Sequence, residues 1–155
     1  MSAQGMARCL LLSLFMLAAC EPAERSVARQ VVVEWPEQHL VFVADTRVGR
    51  VQSYRMGNGA PVLFAQTQGI RRSNVRDIRL EPLRNQLWVL GGNGVYLYEA
   101  HGLALQKQFP LAAQKVSALR VEADRLVLLD KDGDAVGQID RETLVASWRL
   151  GPARG

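Results

Sequence analysis

Short runs rich in Val, Leu, Ile, Phe and Tyr recur from Val31 to the end of the chain, each closed by Gly, Asn, Asp or Pro. No segment sustains the 3.6-residue apolar period of an amphipathic helix. Alternating apolar runs of this length, bounded by turn formers, are the signature of β-strands. They predict twelve: Val31 to Trp35, Leu40 to Ala44, Val51 to Arg55, Val62 to Gln66, Ile78 to Leu80, Leu87 to Leu90, Val95 to Glu99, Leu103 to Phe109, Leu119 to Val121, Leu126 to Asp130, Ala135 to Asp140 and Leu144 to Leu150. The expected fold class is therefore all-β.

The strands fall into three groups of four that align as repeats. VVVEWPEQHLVFVADTRVGRVQSYR begins at Val31, IRLEPLRNQLWVLGGNGVYLYE at Ile78 and LRVEADRLVLLDKDGDAVGQID at Leu119. The alignment puts Glu34, Glu81 and Glu122 in register, and likewise Leu40, Leu87 and Leu126. The starts are 47 and 41 residues apart, and a period of about 40–50 residues is that of a four-stranded propeller blade. The Gly57-Asn58-Gly59 segment and the polar run Arg71 to Asn74 account for the uneven spacing. The expectation is an open arc, or half propeller, of about three blades. Blades are stabilised by neighbours on both flanks, and a ring takes about four to eight. Such an arc therefore implies a protein partner, or self-association to six blades.

Leu40-Val41-Phe42-Val43-Ala44-Asp45, followed by Gly49-Arg50-Val51, resembles blades of the NHL, YVTN and SMP-30 type of β-propeller. The second unit has Gly91-Gly92 in place of Ala-Asp, and the third keeps only Asp130. The resemblance implies a repeat scaffold. Its enzymatic branch, the SMP-30 or lactonase kind, implies instead a small-ligand or metal site built on Asp45 and Asp130.

Ahead of the repeats, MSAQGMARCLLLSLFMLAAC has one basic residue, Arg8, then an apolar stretch from Cys9 to Ala19 and no acid. This is the layout of a secretory signal. It is far shorter than the roughly 20 apolar residues of a membrane-spanning helix. Leu17-Ala18-Ala19-Cys20 resembles the lipobox of bacterial lipoproteins, which implies cleavage between Ala19 and Cys20 and a covalent lipid on Cys20. The expected organisation is a signal peptide over 1–19, a lipidated Cys20 with a tether through residue 30, and a β-propeller-like domain over 31–155. Glu21, where Asp would favour inner-membrane retention, implies a periplasm-facing, outer-membrane location. Cys9 leaves with the signal and Cys20 takes the lipid, so the mature chain has no cysteine for a disulfide.

Charge and motifs point away from other classes. The formal net charge is +4, and loss of Arg8 leaves +3, scattered through the strands with Arg71-Arg72 as an adjacent pair. That pattern reads as a solvated surface, with no nucleic-acid partner; a peptidoglycan spacer would draw on this basic charge alone. No catalytic constellation is evident: Gly-x-Ser-x-Gly and phosphate-cradling loops are absent. His39 and His101 fall at expected turns. Asp130, Asp132 and Asp134 have the alternate spacing of calcium ligands, but Ala135 and Arg141 stand where an EF-hand has its Gly and bidentate Glu. Asp132-Gly133 reads instead as a hairpin turn. Trp35, Trp88, Tyr96, Tyr98 and Trp148 are expected between the blades. The reading is a non-catalytic interaction module with no cofactor besides lipid.

Overall fold

The structure is a computed structural model and describes residues 30–46, 48–70, 74–111 and 115–149. The signal, Cys20, the tether before Gln30, Arg71-Arg72 and Leu150 lie outside the described residues. Three antiparallel four-stranded sheets follow one another along the chain. The first holds β1 (Gln30–Trp35), β2 (Leu40–Asp45), β3 (Arg50–Arg55) and β4 (Val62–Gln66). The second holds β5 (Asp77–Glu81), β6 (Gln86–Leu90), β7 (Gly94–Glu99) and β8 (Leu105–Pro110), and the third β9 (Ala118–Val121), β10 (Arg125–Leu129), β11 (Ala135–Asp140) and β12 (Ala146–Trp148). Each sheet is a meander in chain order. The innermost strands β1, β5 and β9 sit side by side, so the sheets are propeller blades splayed about a common centre. They are not closed into a full ring.

Two apolar seams hold the arc together. In the first, Trp35, Leu40, Phe42, Ala44 and Val51 of blade 1 meet Ile78, Leu87, Val89, Tyr96 and Tyr98 of blade 2. In the second, Trp88, Leu90, Val95, Leu97 and Phe109 of blade 2 meet Leu119, Leu126, Leu128 and Ile139 of blade 3. Blade 2 is thus buried on both faces. Its strands β6 (QLWVL) and β7 (GVYLYE) accordingly read as nearly continuous apolar runs. Each large side chain removed from water in these seams contributes about 1.5–3 kcal/mol.

The seams correct the expected register of blade 1. Leu40 and Leu87 lie in the same seam, from opposite sides, so they are not equivalent. Pairing gives the true match: Glu34 opposes Val41, Leu80 opposes Leu87, and Val121 opposes Leu126. Val41, not Leu40, is therefore the counterpart of Leu87 and Leu126. Trp35 stands where Glu81 and Glu122 stand. A one-residue shift along a strand moves every side chain to the other face. The true anchor is the turn after the first strand: Pro36–Gln38 and Pro82–Arg84 form matching 3-10 turns, each ended by a left-handed residue, His39 (φ 52°) or Asn85 (φ 51°).

Two expected strands are shorter than their apolar runs because Leu103 and Leu144 adopt left-handed backbone, φ 56° and 54°. They close one turn that blades 2 and 3 share. Glu99 accepts the backbone amides of His101 and Gly102, and Asp140 accepts those of Glu142 and Thr143. Burial alone would raise the Glu99 pKa, but bonds from Gly102, Asn85 and His101 outweigh it and hold it below its usual 4.5. The Thr143 bonds, with the Glu142 amide, hold Asp140 below 3.8. In both cases the fold favours the charged form, so the stabilisation is complete above the unfolded-state value and is lost as pH falls through the lower folded value. The urea midpoint is expected to fall between pH 6 and about pH 3. The E99Q/D140N double variant should flatten that dependence; an unchanged slope would remove these turns as its source.

Candidate interaction surface

Among the described residues the arc leaves two faces uncovered, one at each end, and they differ in chemistry. On blade 1, the side opposite the Phe42 seam carries Val32 and Glu34 from β1, Val41, Val43 and Asp45 from β2, and Arg50, Gln52 and Tyr54 from β3, as strand alternation and pairing require. Val32 is 50% exposed. The paired positions in blade 2 are Ile78, Leu87, Val89 and Tyr98, and in blade 3 Leu119, Leu126, Leu128 and Ile139. All eight are buried against the preceding blade. The open face of blade 1 thus repeats, at Val32, Val41, Val43 and Tyr54, the pattern with which the other blades receive a neighbour. Glu34 is the departure, standing where Leu80 and Val121 stand.

The other open face, on blade 3, is polar. Arg120, Glu122, Arg125, Gln138, Ser147 and Arg149 surround Val127 in a shallow depression. Arg120 and Arg125 both bind Glu122, at 2.9 and 2.8 Å. Their hydrogen bonds hold the Glu122 carboxyl below its usual range. The equivalent face of blade 2 is covered, and there the equivalent carboxylate, Glu81, is buried. It accepts the Trp88 indole N–H at 2.7 Å and pairs with Arg141 from blade 3. Arg141 also donates to the Glu122 and Ala123 carbonyls, so it ties the blade 3 turn to blade 2. Nearer the centre, Asp77 accepts the Leu119 amide across the same seam at 2.8 Å.

The remaining candidates take up ordinary places. Asp130 Oδ1 accepts the amides of Asp132 and Asp134, both at 2.9 Å, in the β10–β11 hairpin. Gly133 there has φ 86°, which explains a glycine at that corner. Asp45 occupies the matching corner of blade 1, where its Oδ1 accepts the Val48 amide. Blade 2 lies between these two corners. Among the described residues no three His, Cys, Asp or Glu side chains gather as a metal site. His39 and His101 are exposed turn residues; His101 packs edge-on against Phe64. Trp35, Trp88, Tyr96 and Tyr98 are buried in the seams, and Trp148 packs beside the second. The outer rims of blades 1 and 2 enclose an uncharged cleft lined by Gln66, Gln68, Asn93, Tyr96 and Gln108.

The pairing of Glu81 with Arg141 was not legible beforehand. The apolar surroundings of Glu81 in IRLEPL were the available signal, and nothing local named its partner 60 residues away.

No protein-family model matches the chain, and no curated protein matches it. Solved structures do. Sqt1 of Saccharomyces cerevisiae aligns over 78% of this chain and 34% of its own, with 15% identity and a TM-score of 0.61. The β-propeller domain of Cps50 (Swd1) from Myceliophteria thermophila aligns over 66% of this chain and 37% of its own, at 8% identity and TM-score 0.55. The computationally designed Ika4 protein aligns over 76% and 63%, at 14% identity and TM-score 0.53. The chain therefore spans about a third of each natural neighbour's length. At these identities the likeness is one of fold, and the fold is that of β-propeller blades.

Proposed function

We propose that this chain is a lipid-anchored envelope protein whose propeller-like domain is a non-catalytic protein-interaction module. The observation that supports it most directly is the open face of blade 1, which keeps the apolar pattern used elsewhere in the arc to receive a neighbouring blade. An unpaired surface of this kind favours a partner. Cys20 is the lipid attachment point in this reading. A ten-residue tether reaches at most about 35 Å, so the docking face works close to the bilayer. Glu21 supports outer-membrane sorting with the domain facing the periplasm.

Two variants test the two halves of this reading. C20S should accumulate as an uncleaved precursor that takes up no labelled fatty acid, whereas the wild-type chain should be processed and labelled. Normal processing of C20S would overturn the anchor. V43R, on the open face, should keep the wild-type circular dichroism spectrum yet lose the proteins crosslinked to the wild-type domain in intact cells. An unchanged crosslinking pattern would overturn docking through blade 1.

A further inference from the structure

We propose that the occupant of the open blade 1 face is blade 3 of a second copy, so that two chains join head to tail into a six-bladed ring. This rests on the docking reading above and names its partner. At the seam between blades 2 and 3, Arg79 of blade 2 lines one crevice together with Leu119 and Val121 of blade 3. Arg79 opposes Trp88, and Arg120 opposes Val127 at the same place one blade later. Arg120 is therefore the residue that blade 3 would present to a following blade. The residues it would meet on blade 1 are the counterparts of Leu119 and Val121, namely Val32 and Glu34.

The departure of blade 1 from the receiving pattern is thus a carboxylate at the point where an incoming guanidinium would arrive. Arg120 and Glu34 also set the charge of each face as a whole, +1 on blade 3 and −1 on blade 1. Blade 3 offers Arg120, Arg125 and Arg149 against Glu122 and Asp140, and blade 1 offers Glu34 and Asp45 against Arg50. Asp140 is turned into its own turn. Complementary faces of this kind set register and partner choice. The first seam already shows a bulky side chain, Trp35, at the place that Glu122 holds on blade 3. In the proposed seam, Glu122 meets the position of Arg141, which on blade 1 is Met56, 42% exposed. A head-to-tail interface closes when the rotation between copies permits and otherwise propagates. Two three-bladed arcs make six blades, within the range of about four to eight over which propellers close.

The experiment uses the mature lipidated chain in detergent, with mass measured by analytical ultracentrifugation at matched detergent density. The wild type should sediment as a dimer. E34R and R120E should each weaken the dimer at least about tenfold, since each sets like charges opposite one another at both seams. An equimolar mixture of E34R and R120E should recover a dimer. One of its seams keeps the natural Glu34 and Arg120, and the other joins the two introduced charges in reversed order. Recovery on mixing is not produced by a merely misfolded variant, and two copies meeting blade 1 to blade 1 would leave R120E as dimeric as the wild type. A wild-type monomer at about 50 µM, well above the Kd of a stable dimer, or a mixture that stays monomeric, would overturn the proposal. If V43R then still loses its crosslinked partners, docking through blade 1 stands with a different protein as occupant; if it loses none, both readings fall.

Discussion

Replacing Arg141 by alanine is expected to lower the unfolding free energy by about 3–5 kcal/mol, the range for removing one member of a buried ion pair. The side chains of Arg141 and Glu81 are only 10% and 5% exposed. The loss therefore strands a carboxylate in an apolar seam with one donor remaining, the Trp88 indole. It also leaves the Glu122 and Ala123 carbonyls without their guanidinium donor. The pairing itself need not be a large net stabiliser, because drawing both charges out of water offsets most of their attraction. The E81Q/R141M double variant separates the two effects. Its side-chain amide can still accept the Trp88 N–H, and no unpaired charge is left, so it should unfold within about 1–2 kcal/mol of wild type. Urea titration measures both variants. A loss of less than about 0.5 kcal/mol for R141A would put the pair in the exposed class and end its role as a tie between blades.

The features that sequence made plain and those it hid differ by the range of the interactions involved. Strand alternation is local, so all twelve strands and their grouping into three blades were legible. Asp45 and Asp130 were matched as second-strand corners, but Gly91-Gly92 was set against Ala44-Asp45, whereas Gly91 itself holds the corner that Asp45 holds. Blade 1 was misaligned by one residue because Leu40 and Leu87 both start apolar runs. Pro36 and Pro82, which open the matching 3-10 turns, carry the stronger geometric signal, since proline fixes φ and opens a helical turn without needing a donor. Leu103 was read as strand since its side chain continues the apolar pattern. Its burial, with 4% exposed, holds it in a left-handed conformation that leucine does not prefer on its own. The Glu81–Arg141 pair depends on how one blade lies on the next, and no local pattern encodes that, whereas the match of Arg79 with Arg120 was already present in the aligned IRLE and LRVE runs. The expected lipid site rests instead on a contiguous motif, Leu17 to Cys20, which needs no fold to be read and lies outside the described residues.

Trp88 tests whether the seams make the arc one cooperative unit. Its side chain is fully buried, its ring lies 6.0 Å from that of Phe109, and its N–H anchors Glu81. W88A removes the largest side chain of the second seam and should cost about 3–5 kcal/mol. W88F keeps most of the packing but leaves one Glu81 oxygen without its donor, which costs about 1–3 kcal/mol. Because Trp88 and Arg141 bind the same carboxylate, their effects should not add. The cycle of W88F with E81Q/R141M is expected to show a coupling of about 0.5–3 kcal/mol, the range for residues sharing a network. Blades stacked in series are coupled mainly through nearest-neighbour seams, so weakening this one should release blade 3 first. Fluorescence in a W35F background, which reports Trp88 and Trp148 in the parent and Trp148 alone once W88A is added, and far-ultraviolet circular dichroism should give one coincident transition in the parent and two separated transitions in W88A, with Trp148 leading. A single coincident transition in W88A, shifted or not, would mean that blade 3 is held by something other than this seam, and the Asp77 bond to the Leu119 amide would be the next contact to remove.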